Sequence, residues 1–484
     1  MARFDTVVTG GDLVIPHVGT VRADLGIRDG RIASIEDAIP AADGDQAIDA
    51  RGLVVAPGAV DAHFHIGIYR PIEEDAESET RSSLVGGVTS VISYFRTGSH
   101  YLNRSGSYRE ILPQVIERTS GHAYTDFSYH IGIMEDSQLD EIDWLVEQGI
   151  GSFKFFMFYK GLNLEGSSTD GRALTMSENY DLGHLYRYMV RVREAATRHA
   201  EAGRISLSLH CEQSELLRIF IEEVQAKGID GLEGYHLARP PLTERLAISE
   251  AGVLIEATKC PVNFLHLSSA LAFQTADEFR RSNPGSDLTL ETTLHHLALT
   301  WQTSKGGLRG KVNPPIREKS DNDALWAAVM DGRIDHVVSD HACCFEEDKA
   351  ELWGAKAGFG GTALLYPLLI SDGHHKRGLP LHRVAELVSA SPARSFGLYP
   401  RKGTIAVGSD ADLAIIDLEK EQPITTDLLL AAQDFTPFEG YAVKGWPVMT
   451  LRRGELMYRN GEVLGGTNGE FLRRPHALHA AGVS

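Results

Sequence analysis

At 484 residues the chain is too long for one simple core and is expected to form two or three structural units. Hydrophobic residues make up 43% and charged residues 23%, ordinary values for a globular chain. The net charge of −19, with no Lys/Arg-rich run, excludes the basic face that a nucleic-acid binder needs, and no apolar run approaches the ~20 residues of a membrane span.

The chain opens with short predicted strands separated by glycine turns: Thr6–Val14, Val21–Arg28, Arg31–Ile35 and Leu53–Val60. Its first residues, MARFDTVVTGGDLVI, alternate like a strand and lack the basic-then-apolar layout of a secretory signal. Cys211, Cys260, Cys343 and Cys344 fit no disulfide framework, so reduced thiols and a cytoplasmic location are expected.

From Gly52 onward, β-branched apolar runs alternate with helix-like stretches, as in units of buried parallel strand and covering helix. The runs lie around Val54–Val60, Val88–Phe95, Tyr124–Met134, Ser152–Met157, Ile205–His210, Val262–Leu267, Leu288–Leu294 and His336–Asp340. Eight such units predict an α/β fold, a closed (β/α)8 TIM-like barrel. Strand texture returns after Pro400, in RKGTIAVGSDADLAIIDL (401–418) and YAVKGWPVMTLRRGELMYRNGEVL (441–464). The expected organisation is therefore a small β-sandwich from residues 1–55 plus 401–465, a barrel over 56–400, and a tail, 466–484, that is loose or packed on a neighbour.

Chemistry-bearing residues fall at the ends of the barrel runs, where barrel active sites are built. His63 and His65 end PGAVDAHFH (57–65); two apart on a strand, their imidazoles point the same way and suit a divalent ion such as zinc. His210 closes ISLSLH, His266 closes VNFLH and Asp340 closes HVVSD. Each alone reads more often as a satisfied structural group than as a functional one; together, on strands of one barrel, they converge on one mouth. Lys154 lies in SFKFFMFY between Phe153 and Phe155, where an ammonium is poorly solvated. Either it snorkels or pairs with an acid, or its amine loses its proton readily and adds carbon dioxide, giving a carbamate with two ligand oxygens.

With these segments in place, the chain resembles the amidohydrolase superfamily and, within it, the hydantoinase/dihydropyrimidinase group of cyclic amide hydrolases. The likeness runs over roughly residues 5–465. It is carried by PGAVDAHFH (57–65), GGVTS (86–90), SFKFFMFYKG (152–161), LHCE (209–212), FLHLSSA (264–270), NPPIRE (313–318) and VVSDH (337–341), together with RKGTIAVGSDADLAIID and KGWPVMTLRRGE near the C-terminus. The resemblance implies two divalent metal ions, zinc first and manganese as the other candidate. His63 and His65 would hold one and His210 and His266 the other, a carboxylated Lys154 would bridge them, and Asp340 would bind the first. It also implies a bridging hydroxide as nucleophile, Asp340 as proton acceptor and donor, Tyr159 on the substrate carbonyl, and main-chain contacts to the ring at Asn313. A homotetramer in the cytoplasm, acting on a small cyclic amide and needing neither nucleic acid nor membrane, completes the implied picture.

Several loops depart from the group's pattern without touching a proposed ligand: IGIYRPIEEDAESETR after His65, SYFRTGSHYLNRSG after the second run, HCEQSE around His210, and AGFGG (357–361) with Phe359 in place of an asparagine. They leave the ring open: a hydantoin or dihydropyrimidine leads, with allantoin, dihydroorotate, a lactam or a cyclic imide behind. Against dihydroorotate, Arg70 stands five residues past His65 rather than adjacent to it. Arg70, Glu73, Glu74, Arg96 and His100 are candidate readers of a polar substrate. Phe155, Phe156 and Phe158 are candidate pocket walls that read equally as core. His295 and His296 lie on a candidate strand and read as structural; His341 and Cys343 are near the site by position alone. A reading from another class, a dihydropyrimidinase-like interaction protein without catalysis, is disfavoured because all six ligands are retained.

Overall fold

A computed structural model describes residues 2–159 and 180–475. Eight parallel strands follow one another in space as in sequence: β1 (Ala59–His65), β2 (Val88–Arg96), β3 (Asp126–Gly132), β4 (Ser152–Phe156), β5 (Ser206–His210), β6 (Val262–Phe264), β7 (Leu288–Thr293) and β8 (His336–Val338). Every residue of β1 and β2 is buried, because helices cover the outside while side chains fill the interior. Three residues past the end of β8, His341–Ala342 pairs in parallel with Phe64–His65 of β1, so the sheet closes on itself. Ser339 fixes that junction: its amide donates to Asp61 Oδ1 at 3.2 Å and its hydroxyl to Oδ2 at 2.5 Å.

Helices on the outside follow the 3.6-residue period. In Leu182–Arg198 the buried positions Leu185, Tyr188, Met189, Val192 and Ala195 form one stripe against the barrel. Asp181 caps it, accepting from the amides of Gly183 and His184 at 2.8 and 3.1 Å.

Both chain ends build the remaining sheets. Four strands (Phe4–Thr9, Asp24–Arg28, Arg31–Glu36, Gly44–Asp49) form one; seven form the other, combining Asp12–Ile15, Gly19–Arg22 and Val54–Pro57 with Leu413–Pro423, Ala442–Arg452, Glu455–Arg459 and Glu462–Val463. They enclose a separate apolar core that includes Val8, Leu25, Val55, Ile415 and Leu451.

Four local expectations change, one of them at Val21–Arg28, which is divided at Ala23 between Gly19–Arg22 and Asp24–Arg28 in different sheets. The expected strand Thr6–Val14 is cut at Gly10–Gly11 into two strands in different sheets. The run Val54–Val60 is likewise divided: Val54–Pro57 pairs with Leu413–Ile416, and the barrel strand starts at Ala59. Gly58 sits at the switch, where a Cβ would collide with the Thr89 side chain. The tail, expected to be loose or on a neighbour, packs on its own chain as far as residue 475. Phe471 pairs with Phe127, and buried Arg474 donates to Ser128 and Ser152 Oγ at 2.8 and 3.0 Å; residues 476–484 lie outside the described residues.

Candidate metal centre

Strand alternation delivers the first donors. His63 and His65, on the inward face at the C-terminal end of β1, meet Asp340 from the opposite edge of the closed sheet. Asp340 Oδ1 lies 3.0 Å from His63 Nε2 and 3.4 Å from His65 Nε2. One ligand atom from each of the three residues lies within 4.8 Å of the others. Asp340 adopts a left-handed backbone (φ 52°), as does His266 (φ 34°), a conformation costly for non-glycine residues and found where function holds a side chain in place.

His266 and His210 complete a ring of imidazoles. The His266 ring centroid is 5.2 Å from that of His63 and 4.3 Å from that of His210. Both nitrogens of His266 are buried without a hydrogen-bond partner among the described residues. His210 has its Nε2 2.7 Å from Glu212, which Arg239 grips in turn, so Nδ1 is the nitrogen left for another partner. Lys154 reaches the same interior from β4, its Nζ 4.0 Å from the centroid of Tyr94 and 4.7 Å from that of Phe156. No carboxylate lies within ion-pair distance of it among the described residues.

Burial sets the charge states. It lowers the Lys154 ammonium to about 7, with Asp340 and Glu291 opposing, and lowers His65 and His210 to about 4, so both imidazoles are neutral near pH 7. His63 moves upward despite its burial, because it stands between the carboxylates of Asp340 and Glu291. Neutral imidazoles at His65 and His210, an ionised carboxylate and a readily deprotonated amine are donor forms that divalent ions require, and a cation would displace the proton that His63 shares with Asp340. With the unsatisfied nitrogens of His266 among them, the residues fit such ions.

Tyr159 ends the turn after β4, stacked on Phe156 at 4.6 Å, and Phe158 packs on His210 at 4.4 Å, so these aromatics wall the site. Asn313 is not free at its side chain, whose oxygen accepts the Tyr235 hydroxyl. Of the charged loop residues, Arg70 lies 3.0 Å from Asp75 and 3.2 Å from Glu74, and Glu73 pairs with Arg118 at 3.2 Å; intramolecular partners account for all of these. His341 binds Glu79 at 2.7 Å and stacks on Phe64, holding the closing strand, and Cys343 is buried 3.8 Å from Arg70. His295 and His296 lie on the short helix Leu294–Ala298, not on a strand; His296 Nδ1 is 2.8 Å from Thr293 Oγ1.

Sequence reasoning passes over Glu291, whose Oε1 lies 2.8 Å from His63 Nδ1, and Tyr101, whose hydroxyl lies 3.2 Å from His65 Nδ1. A fully buried carboxylate in the apolar run LTLETT was the available signal for Glu291. Nothing marks Tyr101.

A closed parallel barrel with histidines and a carboxylate gathered at the C-terminal ends of its strands defines the class of metal-site barrel proteins. The sequence pattern of the amidohydrolase family matches residues 192–457. The chain is 33% identical to an allantoinase of Deinococcus radiodurans over 98% of this chain and 100% of that one. It is 30% identical to a D-hydantoinase of Ralstonia pickettii, covering 97% and 99%. The solved L-hydantoinase (dihydropyrimidinase) from Arthrobacter aurescens superposes with a TM-score of 0.86 at 27% identity, covering 97% of this chain and all of that one. The chain belongs to the amidohydrolase family.

Proposed function

We propose that the protein is a metal-dependent hydrolase that opens a cyclic amide ring, a hydantoin or dihydropyrimidine first and allantoin as the nearest alternative. The observation that carries this reading is the meeting of His63, His65 and Asp340 within 4.8 Å, beside a Lys154 whose burial favours the free amine. Names printed for the relatives supply the substrate class.

His63, His65 and Asp340 would hold one divalent ion and His210 and His266 a second, with Lys154, as the carbamate formed with carbon dioxide, as a further ligand; zinc is the first candidate and manganese the second. Such ions polarise a carbonyl and make hydroxide available near neutral pH. Asp340 accepts the proton released as the ring carbonyl is attacked and returns it to the departing ring nitrogen. Tyr159 donates its hydroxyl to the carbonyl oxygen as negative charge builds there. Around Asn313 the main chain contacts the ring, the side chain being held by Tyr235. The reading carries with it a β-sandwich unit from residues 1–55 plus 401–465 beside the 56–400 barrel, a homotetramer and a cytoplasmic location.

A hydrolysis screen with metal-loaded protein tests the proposal, using hydantoins, dihydrouracil, allantoin, dihydroorotate, lactams and cyclic imides. Opening of a hydantoin or dihydrouracil is expected. Turnover of another ring alone moves the substrate within the class, and inertness towards all of them, with two metal equivalents bound, overturns the function.

A further inference from the structure

Arg96 is buried, with only 4% of its surface exposed, yet no carboxylate lies within 4.0 Å of it among the described residues. Desolvating a guanidinium without a counter-charge is costly, and the chain's other buried arginines either pair with a carboxylate, as Arg239, Arg317 and Arg452 do, or, like Arg474, hydrogen-bond through all of their nitrogens. Arg239 grips Glu212, Arg317 pairs with Glu244 at 2.8 Å, and Arg474 spreads its donors over serine hydroxyls and main-chain oxygens. Arg96 spends only Nη1, on the carbonyls of Thr97 at 3.2 Å and Ser99 at 3.0 Å. Its Nε and Nη2 have no hydrogen-bond partner among the described residues. That pair of donors is the planar edge with which Arg239 clasps both oxygens of Glu212.

The strand decides where this edge is available. Tyr94 faces the barrel interior, 4.5 Å from the His63 ring and 4.0 Å from Lys154 Nζ. Arg96, two residues further on and last in β2, shares that face one level nearer the mouth. Tyr101 and Tyr159 flank it, each ring centroid 5.8 Å from the guanidinium carbon, and the Tyr101 hydroxyl is 3.2 Å from His65. Arg96 thus stands one aromatic ring away both from the proposed metal ligand His65 and from the tyrosine assigned to the substrate carbonyl. Among the described residues, the charged candidates Arg70, Glu73 and Glu74 are already held in internal pairs.

We propose that Arg96 is a specificity residue that clasps a carboxylate on the substrate, making the preferred substrate a cyclic amide with an anionic side arm. The inference rests on the ring-opening reading above and names its substrate class more narrowly. A carboxylate supplies both the missing charge and two acceptors in one plane, which the Nε/Nη2 edge matches; a neutral carbonyl supplies one acceptor and no charge. On a chain of net charge −19, a buried cation without a carboxylate partner among the described residues is also what admits an anion to the mouth.

The test compares a hydantoin carrying an acetate arm on its ring carbon with the same ring carrying the neutral acetamide, on metal-loaded wild type, Arg96→Gln and Arg96→Lys. Wild type is expected to favour the acetate by roughly ten- to hundredfold in kcat/KM, mostly through KM. In Arg96→Gln the ratio falls towards one, and Arg96→Lys, which keeps charge but loses the planar edge, lies between. Calorimetric binding of both rings is measured in parallel. If neither ring opens but the acetate still binds through Arg96, the ring-opening reading fails and carboxylate recognition stands. Equal binding and turnover of the two rings by wild type, or an acetate preference that survives in Arg96→Gln, overturns the proposal.

Discussion

Glu291 Oε1 lies 2.8 Å from Nδ1 of His63, two groups 228 positions apart in the chain. The same oxygen accepts the His266 amide at 3.2 Å, and Oε2 lies 3.1 Å from His336 Nε2. Burial alone would raise this carboxyl, but His63 and His336 bring it down to about 2, so it stays ionised and holds the Nδ1 proton of His63. Nε2, which faces Asp340 at 3.0 Å, is then the nitrogen that would exchange its proton for an ion bound there.

Glu291→Gln keeps the shape of that side chain and removes its charge. Divalent-ion affinity should fall by roughly 10- to 100-fold with little change in fold. Competition with a chromophoric chelator measures it, and circular dichroism checks the fold. Unchanged affinity would mean that Glu291 merely fills space.

Asp340→Asn isolates proton transfer from ligation. The amide oxygen can still face a cation, but the group no longer accepts and returns a proton. A loss of about 10²- to 10⁴-fold in kcat is expected, with part of the metal retained. Steady-state kinetics at matched metal occupancy gives the number. A loss that merely tracks metal content would assign Asp340 to binding alone.

Lys154 offers a covalent readout. Its amine, brought to about 7 by burial, has a larger reactive neutral fraction as pH rises through that value, so carbamate formation accelerates in the same direction. Metal uptake by metal-free protein should be slow in buffers stripped of carbon dioxide and recover when bicarbonate is added. Lys154→Met should bind less metal and ignore bicarbonate. Uptake that is indifferent to bicarbonate in the unsubstituted protein would exclude the carbamate.

How much of this was legible in the sequence follows from the range of each interaction. Histidines and a carboxylate at the ends of apolar runs could be read off directly, since a parallel barrel brings all its strand ends to one rim. The division of Val54–Val60 between two sheets could not, because Val54–Pro57 is as apolar as the barrel strand after it and its partner, Leu413–Ile416, lies about 360 positions on. Helix Leu294–Ala298 was hidden for a related reason: it follows β7 without a break, capped only by the Thr293 side chain. Glu291 and Arg96 both stood in view as charges within buried runs. Distance to a partner, or the lack of one, separates a support for His63 from an unpaired cation, and composition carries no such information.

Lys402, within RKGTIAVGSDADLAIID, ties the C-terminal segment to the barrel, and its role is testable through pH. Its ammonium is 2.6 Å from Asp126 at the start of β3, 2.8 Å from Asp412 and 3.0 Å from Asp410, all buried. Burial would raise Asp126, yet Lys402 and Arg453 pull it down to about 2. A carboxyl held below its unfolded value of about 3.9 stabilises the fold above that pH, and the contribution disappears as pH falls from about 4 towards about 2. Lys402→Met leaves buried Asp412 without a cation, while Asp126 keeps Arg453 and Asp410 keeps Arg401, and should cost roughly 3–5 kcal/mol near pH 7. Burial already raises Asp412 against the pull of Lys402, so without that ammonium its protonation relieves the variant as pH falls, and the deficit should narrow near pH 4. Thermal melting of both proteins at the two pH values checks this. A gap of the same size at both would show that Lys402 acts through packing of its alkyl chain rather than its charge.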